Sequence, residues 1–311
     1  MAAPTPTSGG STLRLPETLI IDLAPGIAAR PRLGVDVAAY LPGLQVTRLD
    51  HLGCLPKREP SSTTSDESEA TSVNSHCFNG ESNFAPTSPP PTLTMTSLLG
   101  DGASSDCYAS TSLSHALAVK VCVPQLVEEH VHYGEDCLCP PNKQFPPSIK
   151  WTIQTREAMV HEAHIYAQCE RAGLQGVVVP RHYGLYSGTA ETARGQVEVL
   201  VSVLQDAGPS LGGVGTDASF KDRRAIRDLY TSLHAANIVH SDLHMRHIHR
   251  PASAGGDFPS GFCIIDFDNS FFERESEGTK ERDRERARVA EMLKLPLPSP
   301  VSKGKNGWRS S

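Results

Sequence analysis

A chain of 311 residues with a formal net charge of −6 and a pI near 6.1 carries no overall basic field, and its Lys and Arg are mixed with acids, which argues against a nucleic-acid partner. The opening "MAAPTPTSGG" has neither a basic nor an apolar leader region, and no apolar run reaches the ~18 residues a membrane span needs, so a soluble, intracellular protein is expected, cytoplasmic or nuclear, with no membrane partner. Eight scattered cysteines without a secretion signal suit reduced thiols better than a disulfide framework.

In chain order, residues 1–57 offer "TLIIDLAP" as a strand and "VDVAAYLPGLQV" as a short helix or strand, with no recognisable chemistry. Residues 58–94 are rich in Ser, Thr, Pro and Glu and hold too few large apolar side chains to offset ordering entropy, so a disordered linker is expected there. From about residue 95 the texture is that of a folded domain, expected to run to 295, with a disordered tail over 296–311. "SLLGDGASSDCYAST" reads as a glycine-bearing turn and "HALAVKVCVP" as an apolar strand interrupted by Lys120. A Pro-rich segment follows, in which His130, His132, Cys137 and Cys139 form a weak four-ligand set; free thiols and solvent-facing histidines are the plainer interpretation.

"WTIQTREAMVHEAHIYAQCERAG" places Met159, Ala163 and Tyr166 at helical spacing, with Glu162 on the same face. "GVVVPRHYGLYSG" and "GQVEVLVSVLQDAG" read as strands, and a helix follows from Ser219, where "SFKD" approximates a capping box, through Ile226, Leu229, Tyr230 and Leu233. "IVHSDLHMRHIHR" then crowds four histidines around Asp242 and Arg246; "FCIIDFDNS" reads as a strand, and a charged helix buries Val289, Met292 and Leu293. One interpretation of the histidines is a zinc site, since His240 and His244 would share a helix face and Asp242 and His247 stand close by. No H-E-x-x-H glutamate lies between them.

Taken in order over residues 97–295, these motifs resemble the protein-kinase-like superfamily, including its atypical and small-molecule members. The resemblance implies an α+β fold of two lobes, an antiparallel-sheet N-lobe and a reduced helical C-lobe. It also implies transfer of the ATP γ-phosphate, assisted by Mg²⁺ or Mn²⁺, to a hydroxyl of a protein or of a small molecule. Gly100 and Gly102 resemble the nucleotide-covering loop, with Ser105 where the third glycine stands in the family. Lys120 in "LAVKV" takes the place of the phosphate-binding lysine, Glu162 is its expected partner with Glu157 as a rival, and ATP is expected near the strand end running from Val203 to Gly208.

"HSDLHMRHI" matches the H-R-D-x-x-x-x-N loop, making Asp242 the catalytic base, Ser241 the replacement for the family's Arg, and His247 the residue at the metal-binding Asn position. Arg246 falls where some members place an arginine near the substrate, and "IIDFD" matches the D-F-G region with Asp266 as the metal ligand. Short sequence after "DFDNS", without A-P-E, is more typical of the small-molecule relatives or of a truncated gene product. A catalytically impaired pseudokinase acting as a nucleotide-binding scaffold is the alternative, because imidazole at His247 replaces an oxygen ligand that Mg²⁺ prefers.

Overall fold

The computed structural model describes residues 13–25, 27, 41–49, 89–101, 105–111, 115–127, 149–192, 195–212, 218–251, 258–273 and 279–296. Gly102, His130, His132, Cys137 and Cys139 lie outside these, as do 58–88 of the expected linker and 297–311 of the expected tail.

Seven strands close into a barrel: β1 (Thr18–Leu23), β2 (Leu44–Arg48), β3 (Thr92–Asp101), β4 (Asp106–Ser110), β5 (Leu117–Cys122), β6 (His182–Thr192) and β7 (Gly195–Gln205). Their order around the barrel is β1-β2-β6-β7-β5-β4-β3, and the ring is completed by parallel pairing of β1 with β3, Ile20 opposite Thr92 and Leu23 opposite Met95. This overturns the two-lobed fold with an antiparallel sheet that the resemblance implied. The reason is the company β1 and β2 keep. They do not stand apart from the sheet; they supply the staves that close it, and Thr92–Thr94 of the expected linker start a stave as well.

Alternation explains why these segments pair as they do. Leu19, Ile21, Val46, Leu93, Met95, Tyr108, Val119, Val121, Val199, Val201 and Val203 all point into one apolar interior, each buried. At about 25 cal/mol per Å² of apolar surface, each such side chain contributes roughly 1.5–3 kcal/mol. Gly188 marks a tight seam of the wall: a Cβ there would meet the Gln45 carbonyl oxygen at 2.6 Å, so only glycine lets β6 and β2 approach so closely.

The outer face of the wall carries the rest of the molecule. Helix α1 (Pro124–Val127) is one turn, and α2 (Ile149–Arg171) lays Met159, Val160 and Ala163 on Cys122, Leu185 and Leu200. Helix α3 (Phe220–Ala235) starts where expected, with Ser219 Oγ accepting from the Asp222 N–H at 3.1 Å, and buries Ile226, Leu229, Tyr230 and Leu233. Beneath the barrel four two-residue strands form two small ladders: β8 (Ile238–Val239) pairs with β11 (Phe271–Phe272), and β9 (Ile248–His249) with β10 (Cys263–Ile264). Helix α4 (Lys280–Met292) packs Val289 and Leu293 into this layer, with Met292 only partly buried. No helix among the described residues is long and apolar enough to cross a membrane.

Candidate functional site

The site lies where the outer face of β5 meets the loops of the lower layer. Because Val119 points inward, Lys120 points outward, level with Cys107 on β4 and Ser202 on β7. Its ammonium donates to Glu162 Oε2 at 2.8 Å and to Asp266 Oδ1 at 3.3 Å, joining positions 146 residues apart in sequence. Burial disfavours this cation, yet the Glu162 and Asp266 carboxylates outweigh it and raise the lysine above its ordinary range. Glu162 is thus the partner and Glu157 is not; Glu162 Oε1 also accepts the Phe267 N–H at 3.3 Å, tying α2 to the loop that carries Asp266.

Asp266 follows β10, and its backbone sits in the left-handed region at φ 69°. Such a conformation costs a non-glycine residue roughly 1–2 kcal/mol and persists only where surroundings hold it. Burial pushes the Asp266 carboxyl up, but its charged surroundings, Lys120 foremost, more than reverse this and keep it below the usual range, ionised. Its neighbour Asp268 moves the other way, raised by burial and by the Asp266 charge.

Asp242 and His247 come from the loop after β8 and its terminal 3-10 turn, Met245–His247. His247 is buried; its Nδ1 lies 3.1 Å from the Asp242 carbonyl oxygen and its Nε2 3.2 Å from Asp266 Oδ2. Asp242 Oδ1 faces His244 Nε2 at 3.1 Å, and Oδ2 faces Arg246 Nη2 at 3.7 Å. Among the described residues, Asp242, His247 and Asp266 form a group whose ligand atoms lie within 4.8 Å of one another.

The histidine row divides into separate duties. His240 is fully buried, its Nε2 donating to the Ile265 carbonyl at 2.9 Å and its ring packed edge-on against Phe267; burial lowers its pKa, so it stays neutral. His249 Nδ1 donates to the Gly208 carbonyl at 2.6 Å. The segment from His240 to His244 is an irregular turn, with Ser241 at φ 70° and the Asp242 N–H donating to the His240 carbonyl at 2.9 Å, so the shared helix face that a zinc pair of His240 and His244 requires is not formed.

Two expected nucleotide contacts sit differently from the rest. Val203 points into the barrel interior; parity along the strand puts Leu204, and Ala118 opposite it, on the Lys120 side instead. Gly100 lies within β3, opposite Cys107, with no atom within 4 Å of where a Cβ would stand, so nothing in its surroundings demands glycine.

Glu285 is the residue that motif matching missed. From α4 it accepts the N–H groups of His240 at 3.1 Å and Ser241 at 2.7 Å, and His234 Nε2 donates to it at 2.6 Å. Ser241 is held at φ 70°, so this carboxylate fixes the strained turn that aims Asp242. These contacts hold Glu285 below the usual carboxylate range despite its burial. A signal existed: Glu285 lies one helical turn before Val289, on the face that must turn inward. Ser270 completes the frame, donating to the His240 carbonyl at 3.0 Å while its own carbonyl accepts from His161 on α2.

No protein-family model matches the chain, and no curated protein matches it at a significant level.

Proposed function

We propose that the protein is an ATP-dependent phosphotransferase that transfers the γ-phosphate to a hydroxyl, a protein hydroxyl by resemblance to the protein-kinase-like superfamily. The likeness resides in the site and not in the architecture. The observation that carries this is the convergence of a buried ammonium, Lys120, with Glu162, Asp266, His247 and Asp242 at one place outside the barrel wall.

Phosphoryl transfer asks a protein mainly for position and charge. Lys120, ionised and oriented by Glu162, supplies a fixed positive charge for phosphate oxygens. Asp242 offers a carboxylate to orient the acceptor hydroxyl and take its proton. Asp266 and His247, with Asp242 beside them, provide two carboxylates and one imidazole, a donor set that fits a divalent cation and favours Mn²⁺ over Mg²⁺ because of the nitrogen. Such an ion, when bound, supplies charge neutralisation at the transferring phosphoryl group. Leu204 and Ala118 offer the apolar wall on the Lys120 side.

A second reading is a nucleotide-binding module without turnover, favoured by His247 at the metal position and by His244 and Arg246 facing both oxygens of Asp242. ATP turnover and thermal shift with Mg²⁺ or Mn²⁺, for wild type and Asp242→Ala, separate the two. The phosphotransferase reading expects turnover to fall by at least about a hundredfold in Asp242→Ala with ATP binding retained. Binding without turnover in wild type supports the module, and turnover indifferent to Asp242→Ala overturns the catalytic assignment.

A further inference from the structure

We propose that Arg246 is a built-in cation that excludes a divalent metal from the Asp242, His247, Asp266 group, so that the ion binds only when the arginine swings out. This rests on the metal-assisted reading of the site given above. The argument turns on one lone pair. His247 Nδ1 faces the Asp242 carbonyl oxygen at 3.1 Å, and a carbonyl only accepts, so Nδ1 carries the hydrogen. Arg246 Nε donates to Nε2 at 2.9 Å, so the guanidinium holds that nitrogen's in-plane lone pair.

Asp266 Oδ2, a second acceptor, stands 3.2 Å from the same Nε2. Two acceptors this close need a positive charge near them. Lys120 supplies part of it, 3.3 Å from Asp266 Oδ1, and the Arg246 guanidinium supplies it at Nε2 itself, with Nη2 also 3.7 Å from Asp242 Oδ2. A metal ion would need the same Nε2 lone pair, so guanidinium and metal cannot both hold it. The arginine has room to leave: its side chain is 61% exposed. Its backbone does not move with it, because Ser210 Oγ donates to the Arg246 carbonyl at 2.8 Å. Swinging out is therefore a rotamer change of one long side chain, and it places a free guanidinium at the mouth of the site, where it suits phosphate oxygens.

The test is Mn²⁺ binding, without nucleotide, by calorimetry or by the electron-spin signal of free Mn²⁺. Arg246→Met is expected to bind Mn²⁺ at least about tenfold more tightly than wild type. Adding Asp266→Asn to Arg246→Met is expected to remove the gain. Arg250→Met is the control for simple charge removal, since Arg250 pairs with Asp222 and not with the metal group; it is expected to match wild type. Equal affinity in wild type and Arg246→Met overturns the exclusion while leaving the metal-assisted site standing, as does equal tightening in Arg246→Met and Arg250→Met. Absence of Mn²⁺ binding in every variant up to about 1 mM overturns both.

Discussion

The barrel interior and the loop layer beneath it solve opposite problems. Inside the barrel the side chains are mostly apolar, the backbone groups pair along the ladders, and the charged types on inward-facing positions, Arg48 and Asp106, stand at strand ends. In the loop layer, strands are two residues long, Ser241 and Asp266 hold left-handed backbones, and buried or half-buried charges are stacked within a few ångströms of each other. The first arrangement maximises stability. The second spends it, because strained, charged clusters persist only when a scaffold holds them, and such clusters mark functional sites.

If that division is right, substitutions in the two regions should differ in kind. Leu19→Ala, in a strand that closes the barrel, should cost about 2–5 kcal/mol in urea denaturation. A loss under about 1 kcal/mol would mean that β1 is dispensable to the sheet. Glu285→Ala leaves two buried N–H groups and His234 without their acceptor and should cost about 3 kcal/mol. On the proposed phosphotransferase reading, it should also lower turnover more than Leu19→Ala does at matched folded fraction, since it frees the turn that aims Asp242.

Acid should find the loop layer and the outer face of the barrel wall, through neutral histidines. His182, pushed down to about 4 by burial and by the Arg48 guanidinium, and His240, lowered chiefly by burial, resist protonation when folded. Between the folded value and the ordinary 6.5 the unfolded chain binds more protons. Their contribution is therefore complete above about pH 6.5 and shrinks as pH falls, by about 2 kcal/mol for His182 at pH 5. A denaturation midpoint that is flat from pH 7 to pH 5 would contradict the burial of these rings. The smallest effect sharpens the contrast most: Ser241→Gly should stabilise the protein by about 1 kcal/mol by relieving φ 70°, while reducing activity by loosening Asp242. In the barrel wall the same kind of change, Val199→Gly, should only destabilise.

How far the sequence reveals this depends on how local each feature is. Lys120, Asp242 and Asp266 are legible because each sits in or just after a short element whose pattern is self-contained, and the Ser219 cap is legible for the same reason. Closure of the barrel is not, because parallel pairing of β1 and β3 joins segments about 70 positions apart with no local mark. Thr92–Thr94 hide in Ser/Thr-rich surroundings that compositional reasoning assigns to a linker. Val203 shows the sensitivity of strands to parity: one residue along, Leu204 faces the site. Glu285 hides among the alternating charges of α4, where only its spacing from Val289 separates a buried acid from solvated ones.

The most direct measurement of the central claim is ATP affinity in the presence of Mn²⁺ for wild type and Asp266→Asn, with folding stability followed in parallel. Asp266 is where the lysine and the metal group meet, and Lys120 keeps Glu162 when it is neutralised. Metal-dependent ATP binding that falls at least about tenfold in Asp266→Asn, with stability changed by no more than about 1 kcal/mol, is the result expected of a nucleotide site built on a scaffold that does not depend on it. Equal, metal-independent ATP affinity in the two proteins would contradict it.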